Sequence, residues 1–306
     1  MAITAQTTSK SPGLLERLNR GSGLTPYLLV FPAILVILVI AIYPILDSIY
    51  LSFIDNPLRS SAQFIGFQNY VQVLSNRTFQ GTIGVTIIFS VISVALETIF
   101  GLGIAILINK TFPGRGLVRA AILVPWAFPT IVSAQMWLLM YNDQTGIITY
   151  LLQVVHLLSP GDTLISSTSG VIAASVITDV WKTTPFMALL ILAGLQVIPA
   201  ELYEAANVDG STRWQSFWQI TLPLLKSPLV IALLFRILDA IRIFDLFYVF
   251  GQQRVQSMAT YAQYNMFAGT PADFTPGLAS AVIIFVLGII VSLILVSMIR
   301  DVVKQV

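Results

Sequence analysis

The sequence predicts an all-α protein that crosses the membrane several times. Of its 306 residues, 56% are apolar and 10% are charged, and the mean hydropathy is +0.86. Soluble domains carry about 25% charged residues, so this composition indicates a chain surrounded by lipid. The apolar residues fall in continuous runs rather than in alternation, which favours membrane helices over a closed β-barrel.

Six runs are long enough for a membrane helix, which needs about 20 predominantly apolar residues. They cover roughly residues 27–53, 82–109, 120–141, 170–197, 228–250 and 278–299. Prolines such as Pro129 and Pro185 do not exclude helices, because neighbouring helices in a membrane satisfy the backbone groups that proline frees. The sequence therefore predicts six transmembrane helices.

Basic residues in the loops predict the orientation, because lysine and arginine are enriched on the cytoplasmic side. Outside the runs, ten of them fall at the chain ends and in the loops 110–119 and 198–227, against three in the opposite loops. Both termini are therefore expected in the cytoplasm. Residues 1–25 form a cytoplasmic tail in this scheme, residues 26–300 one transmembrane domain, and residues 301–306 a second tail.

The composition also excludes several classes of function. The chain has no cysteine, which removes thiolate ligands, and its single histidine is too little for a multi-histidine metal site. A net charge of +2 is too small to indicate nucleic-acid binding. We therefore expect no cysteine chemistry, no metal site and no nucleic-acid partner.

The loop 198–223 carries the most informative pattern. Pro199 suits the opening of a short helix, and Glu201 and Glu204 suit its positive N-terminal end. Gly210 suits the left-handed position that ends such a helix.

A second short helix is expected directly after this turn. Ser211 or Thr212 caps it, and Pro223 ends it. The pair of helices serves either as a structural return into the fifth run or as a docking element for a cytosolic partner. The residues of this loop alone do not decide between these two roles.

The same loop resembles the EAA loop of permease subunits in ATP-binding-cassette (ABC) importers. The matching segments are Glu204-Ala-Ala, Asp209-Gly210 and Ile220-Thr-Leu-Pro223. Ala193-Gly-Leu-Gln-Val-Ile-Pro-Ala-Glu-Leu-Tyr-Glu-Ala-Ala is similar to the carbohydrate branch of that family, as are residues 123–129, 181–186 and 235–245. The resemblance extends from about residue 67 to the end of the sixth run.

This resemblance implies a type I importer permease fold and a coupling helix that contacts a cytosolic ATPase. The implied coupling residues are Glu201, Glu204, Ala205, Ala206, Asp209 and Gly210. A complete importer would also contain a second permease, expected to be a different chain, two ATPase subunits and an extracytoplasmic solute-binding protein. The Gly-x-x-x-x-Gly-Lys-Ser/Thr loop is absent here, so ATP and Mg would bind the ATPase rather than this chain.

The implied substrate is a sugar or small glycoside, such as a disaccharide or glucosylglycerol, and the implied location is a bacterial or archaeal cell membrane. One departure concerns the external turn after the fifth run. Family members often carry Gly-Gly-Gly-Pro there, whereas this chain has Gly251-Gln-Gln-Arg-Val-Gln-Ser. We therefore expect a different local structure in this loop.

Charged residues inside the runs are further candidates, since each costs about 2.5–3.5 kcal/mol on insertion. Arg236, Asp239, Arg242 and Asp245 recur every three residues, which predicts one slanted stripe on the fifth helix. The stripe is either a self-neutralising structural ladder or a wall of the solute pathway. We expect the ladder for Arg236 and Asp239, and both roles stay open for Arg242 and Asp245.

Other polar residues in the runs are less clearly assigned. Asp179 and Lys182 are spaced to pair on the fourth helix, and the sequence does not decide whether Glu97 pairs with Arg236 or Arg242. Amide and aromatic side chains add the chemistry of a sugar site. The candidates for the pathway, each of which alternatively serves packing, are Gln135, Trp137, Tyr141, Asn142 and Trp181.

Three rival functions stay open from the residues alone. One is a passive scaffold, which would not need a charged stripe within a run. An ion-coupled secondary transporter would use Glu97, Asp179 or Asp245 as a relay, but the inverted repeats common in that class are not evident. An intramembrane enzyme would need reactive groups, and the His-Glu-x-x-His pair is absent. The importer permease is therefore the leading hypothesis.

Overall fold

The computed structural model describes residues 24–57 and 61–303, with only the backbone for residues 24–26 and 298–303. Most of the predicted N-terminal tail and residues 304–306 lie outside the described residues. Regular structure in the described part is helical, apart from one antiparallel bridge between Ile54 and Phe64. The prediction of an all-α protein is confirmed.

The first predicted run forms a unit of its own, described from residue 24 to 51. Helix α1 spans Leu24–Ile37, α2 spans Tyr43–Leu51, and a π-helical turn at Leu38–Ile42 joins them. Pro32 lies inside α1 without ending it. Together these elements give an apolar helix, Tyr27–Leu51, that is long enough to cross a membrane.

The second unit begins at Ser52 and contains the other helices. Short α3 (Gln68–Ser75) precedes α4 (Arg77–Asn109), which contains the second run. Asn76 starts α4 as its cap, because its side-chain oxygen accepts hydrogen bonds from the backbone N–H groups of Thr78 and Phe79.

The third run does not form one helix, contrary to the prediction. It is divided into α5 (Arg115–Ile122), α6 (Val124–Ala127) and α7 (Thr130–Met140). Phe128 and Pro129 between the last two have extended backbones, with ψ angles of 141° and 140°. A proline ring clashes with a helical conformation at the residue before it, so the break follows from the Phe128–Pro129 step.

The fourth run forms the central helix of this unit. After α8 (Ile147–Val154) and a 3₁₀ turn at Leu164–Ser166, helix α9 spans Thr168–Leu195. It packs along α4, and more than half of its residues are buried. Pro185 lies within α9 and does not break it, as expected.

Two short helices and the start of the fifth run follow. Helix α10 spans Ala200–Val208, α11 spans Arg213–Ser216, and a π-helical turn at Phe217–Thr221 leads into α12, Leu222–Ile241. The prediction that Pro223 ends the second short helix is wrong. Pro223 lies in the first turn of α12, where a missing N–H group is tolerated.

The fifth run is also interrupted. A separate helix, α13, spans Asp245–Gly251, and α14 (Met258–Phe267) and α15 (Phe274–Val303) follow. Helix α15 packs against α12 and α14. Within the described residues, four apolar helices are long enough to cross a membrane, and they belong to the first, second, fourth and sixth runs.

Candidate functional site

A cluster of ion pairs lies where α4, α9 and α12 meet. Arg236 on α12 is 2% exposed, and its Nε and Nη2 donate to the two carboxylate oxygens of Glu97 on α4. Nη2 also lies 2.9 Å from Oδ2 of Asp179 on α9, and Nη1 lies 2.6 Å from Oδ2 of Asp239. The planar fork of N–H donors on one guanidinium therefore joins three helices.

Two hydroxyl groups complete this Arg236 cluster. Ser93 Oγ donates to Asp179 Oδ2 at 2.6 Å, and Thr183 Oγ1 donates to Glu97 Oε1 at 2.5 Å. Because Glu97 and Asp179 are buried, these bonds replace the water that the carboxylates lose. Carboxylates that are fixed by these hydrogen bonds are poorly suited to relay an ion. The structure therefore does not favour the ion-coupled secondary transporter.

The structure decides the pairings that the sequence left open. Glu97 and Asp179 both pair with Arg236, so neither the Arg242 partner nor the Asp179–Lys182 pair is found. Lys182 is buried and makes no ion pair within the described part of the chain.

The predicted stripe of four charges is split at the end of α12. Arg236 and Asp239 do pair there, as expected for a ladder. Arg242 follows the helix end, is exposed, and donates from Nε to Leu238 O at 3.1 Å. Asp245 begins α13 and is half-buried. The prediction of a single helical stripe is therefore wrong for Arg242 and Asp245, because helix α12 ends at Ile241.

Two candidates for a sugar site have other roles in this structure. Tyr141 is fully buried, and its hydroxyl lies 3.2 Å from Ala174 O and 3.3 Å from Thr178 Oγ1. Asn142 holds the turn after α7, because its Oδ1 accepts hydrogen bonds from two backbone N–H groups of that turn. Tyr141 therefore serves packing in this structure, whereas Asn142 is exposed and stays a candidate for the pathway.

The other aromatic candidates are more accessible. Trp137 on α7 and Trp181 on α9 pack edge to face with ring centroids 5.5 Å apart, and both rings are partly exposed. Gln135 is exposed on α7. These three side chains can contact a molecule outside the packed core.

The turn after α10 has the predicted geometry. Gly210 has a φ angle of 79°, the left-handed conformation that glycine adopts without strain. The N–H of Ser211 donates to Ala206 O at 2.8 Å, and the N–H of Gly210 donates to Asn207 O at 3.1 Å. This is the Schellman pattern of helix ends, and the prediction for Gly210 is confirmed.

Helix α10 is held at one side and exposed at the other. On the held side, Tyr203 Oη lies 3.0 Å from Thr221 Oγ1. The next helix, α11, begins with Thr212, which forms a capping box with Gln215. Of the six predicted coupling residues, Ala206 is half-buried and the other five are exposed. Val208 on the same helix is 87% exposed. Within the described residues, no side chain of the coupling residues makes a hydrogen bond or ion pair.

The sequence reasoning missed the two hydroxyl groups of the Arg236 cluster. Ser93 precedes Glu97 by four residues and Thr183 follows Asp179 by four. Side chains four apart are neighbours on a helix, so this spacing is the signal that could have found them.

Two membrane-length helices, α4 and α9, are joined to α12 by a buried ion cluster, and these features together indicate a helical membrane protein. Residues 97–304 match the family described as binding-protein-dependent transport system inner membrane component, and the chain belongs to this family. The trehalose/maltose transport system permease protein MalF of Thermococcus litoralis is 42% identical over 281 residues, covering 90% of this chain and 93% of that protein. The trehalose transport system permease protein SugA of Mycobacterium tuberculosis is 37% identical, covering 86% and 83%.

Solved structures agree on the fold. A chain of the bacterial alginate ABC transporter, in complex with an alginate pentasaccharide-bound periplasmic protein, superimposes with a TM-score of 0.76. It covers 95% of this chain and 98% of that one at 22% identity. The fold is that of a type I ABC importer permease, and the chain is a membrane permease subunit of such an importer. Members of this family are transport subunits and are generally not catalytic.

Proposed function

We propose that the chain forms half of the membrane pathway for a sugar or small glycoside, in the size range of a disaccharide or glucosylglycerol. The relatives named for trehalose and maltose transport support this substrate class. Trp137 and Trp181, both partly exposed, and exposed Gln135 supply rings and an amide of the kind that bind sugars. Arg242 and Asp245, at the break between α12 and α13, supply polar groups to the same pathway.

The proposed topology has six transmembrane segments and cytoplasmic termini. The interrupted third and fifth runs each count as one segment, and the excess of lysine and arginine in the loops 110–119 and 198–227 supports the orientation. Residues 1–25 and 301–306 remain predicted cytoplasmic tails on either side of one transmembrane domain. In this orientation α10 faces the cytosol.

The observation that carries the mechanism concerns α10 and its turn: five of the six predicted coupling residues are exposed, and within the described residues no side chain of the six makes a hydrogen bond or ion pair. We propose that α10 occupies a groove on a cytosolic ATPase. Two such ATPases would bind ATP and Mg, and a second permease and an extracytoplasmic solute-binding protein would complete the importer. Closure of the ATPases would move α10 and switch the pathway between inward-facing and outward-facing states.

Two glycines allow a matched test of this coupling role. Gly210 and Gly114 have φ angles of 79° and 80°, and an added Cβ would meet nothing within 4 Å at either position. Valine therefore imposes a similar strain of at least about 1–2 kcal/mol at both positions. Only Gly210 ends α10. We expect Gly210→Val to lower sugar uptake per ATP hydrolysed by about tenfold, a coupling loss of about 1.4 kcal/mol.

The measurement uses the complex purified from its native membrane through a tag on this chain, with partners identified by mass spectrometry. Uptake of trehalose and maltose and ATP hydrolysis are then followed in proteoliposomes. Gly114→Val should retain coupling within about twofold. Unchanged coupling in Gly210→Val, an equal loss in both variants, or recovery of this chain alone in mild detergent would count against the proposed role.

A further inference from the structure

A cavity of about 360 Å³ with a mixed polar and apolar lining lies between α13, the turn after it and α14. It shares no lining residue with the Arg236 cluster. Small-molecule sites are typically about 300–1,000 Å³, so the cavity is large enough for a ligand. Its polar lining comes mainly from Gln252, Gln253, Gln256, Gln263, Tyr248 and Tyr264, and no charged residue contributes.

The four glutamine side chains of this glutamine cavity are free to bind a ligand. None of them makes a hydrogen bond within the part of the chain that the structure describes. Each amide offers a carbonyl acceptor and two N–H donors, so the lining supplies both donors and acceptors. A lining without charge is poorly matched to phosphate or carboxylate groups. Hydroxyl groups, which both donate and accept, are the complementary chemistry.

Two of these glutamines have unusual backbones. Gln252 and Gln253 have φ angles of 44° and 67°, in the left-handed region that favours glycine. The turn is closed by the N–H groups of Arg254 and Val255, which both donate to Gly251 O. Glycine at positions 252 and 253 would relieve the strain but would remove two amides from the cavity. Strained non-glycine residues concentrate at ligand clamps, which links this turn to binding.

We propose that the glutamine cavity is a second carbohydrate site, which holds a neutral sugar at the external mouth of the pathway. The amides would bind the sugar hydroxyls, and Tyr248 and Tyr264 would contact the apolar face of the ring. Tyr248 stacks on Phe244, with centroids 5.2 Å apart, and Phe244 immediately precedes Asp245. The cavity therefore adjoins the break between α12 and α13. This inference rests on the proposed function for the substrate class and the orientation.

Because this chain has no cysteine, one introduced thiol reports on the cavity directly. The test uses Gln253→Cys in the assembled permease–ATPase complex, labelled from outside with a membrane-impermeant maleimide. Gln72→Cys is the matched control, since Gln72 on α3 is an exposed glutamine that makes no hydrogen bond within the described residues. Labelling rates are compared without sugar, with trehalose, with maltose, and with potassium glutamate at equal osmolarity.

Trehalose or maltose should slow labelling of Gln253→Cys in a saturable way, by about fivefold at four-fifths occupancy, and should leave Gln72→Cys within about twofold. Potassium glutamate should protect neither position. If Gln253→Cys does not assemble, Gln263→Cys on α14 takes its place, because it reports on the same cavity without altering the turn.

Three results would overturn the proposal. Equal labelling with and without sugar, in a complex that imports that sugar, excludes the cavity as a sugar site and leaves the proposed function standing. Protection by the solute-binding protein alone, with no effect of sugar, makes the cavity a protein-docking surface. Absence of any sugar uptake by the wild-type complex overturns the proposed function and this inference together.

Discussion

The Arg236 cluster and helix α10 use charged side chains in opposite ways. In the cluster, Glu97 and Asp179 are buried and both pair with Arg236. On α10, Glu201 and Glu204 are exposed and make no ion pair within the described residues. The first set of charges is paired inside the chain, whereas the second set is available to another chain. Charged residues therefore hold helices together in the Arg236 cluster, and on α10 they form an interface if the proposed function is correct.

Burial determines how strongly each region responds to substitution. Removing one partner of a buried ion pair leaves an uncompensated charge and costs about 3–5 kcal/mol, whereas an exposed ion pair contributes about 0–1 kcal/mol. Substitutions in the cluster should therefore lower stability. Substitutions on α10 should lower coupling while the fold stays intact.

The largest expected effect comes from Arg236→Met. This change keeps most of the side-chain volume but removes the guanidinium that pairs with both Glu97 and Asp179 in the buried cluster. We expect a loss of about 3–5 kcal/mol, which shows as a strongly lowered melting temperature and a low yield of monodisperse complex. Thermal unfolding of the detergent-purified complex measures it.

Arg242→Met is the matched control, because Arg242 lies only six residues further along but is exposed and binds one backbone carbonyl. Its melting temperature should stay close to that of the wild type. Equal melting temperatures for both variants would mean that the Arg236 cluster does not stabilise the packing of α4, α9 and α12. The buried charges would then contribute no more to stability than exposed charges such as those of α10.

A smaller effect is expected from the hydroxyl groups of α9. Thr183 Oγ1 donates to Glu97, whereas Thr184 Oγ1 is buried and has no hydrogen-bond partner among the described residues. Thr183→Val should cost about 1–3 kcal/mol, because the carboxylate loses a donor that water cannot replace. Thr184→Val removes an unsatisfied group of the same shape and should be neutral or stabilising. Chemical or thermal unfolding of the two variants side by side checks the order, and a reversed order would contradict the assigned bond.

The local features of the fold were predictable because they depend on residues close together in sequence. Pro199 before α10 and Gly210 after it follow capping rules that act within a few positions, and both predictions are confirmed. The break at Phe128–Pro129 obeys an equally local rule. The sequence analysis did not predict this break, because it assumed that membrane helices tolerate proline throughout residues 120–141.

The composition of the Arg236 cluster was not predictable in the same way. Glu97 and Arg236 are 139 positions apart, and their pairing depends on how α4 and α12 pack. The end of α12 at Ile241 also lacks a local stop signal, since no glycine or proline follows before α13. The spacing of three residues therefore predicted one helix for all four charges. In the structure, Arg236 and Asp239 lie on α12, Arg242 follows its end, and Asp245 begins α13.

The smallest change in stability, and the sharpest test of the contrast, is expected on α10. Val208 is 87% exposed, so Val208→Ser should alter the free energy of unfolding by no more than about 0.5 kcal/mol. The same change removes apolar surface that we propose contacts the ATPase, so less ATPase should co-purify with the tagged chain. Val71→Ser on α3 is the control, because Val71 is also an exposed valine, at 63%, and lies on the opposite side in the proposed topology. If Val208→Ser lowers the melting temperature as Thr183→Val does, α10 belongs to the folded core and not to an interface. If ATPase recovery stays equal in both serine variants, the contact lies elsewhere on the loop, and the exposed carboxylates Glu201 and Glu204 become the groups to substitute.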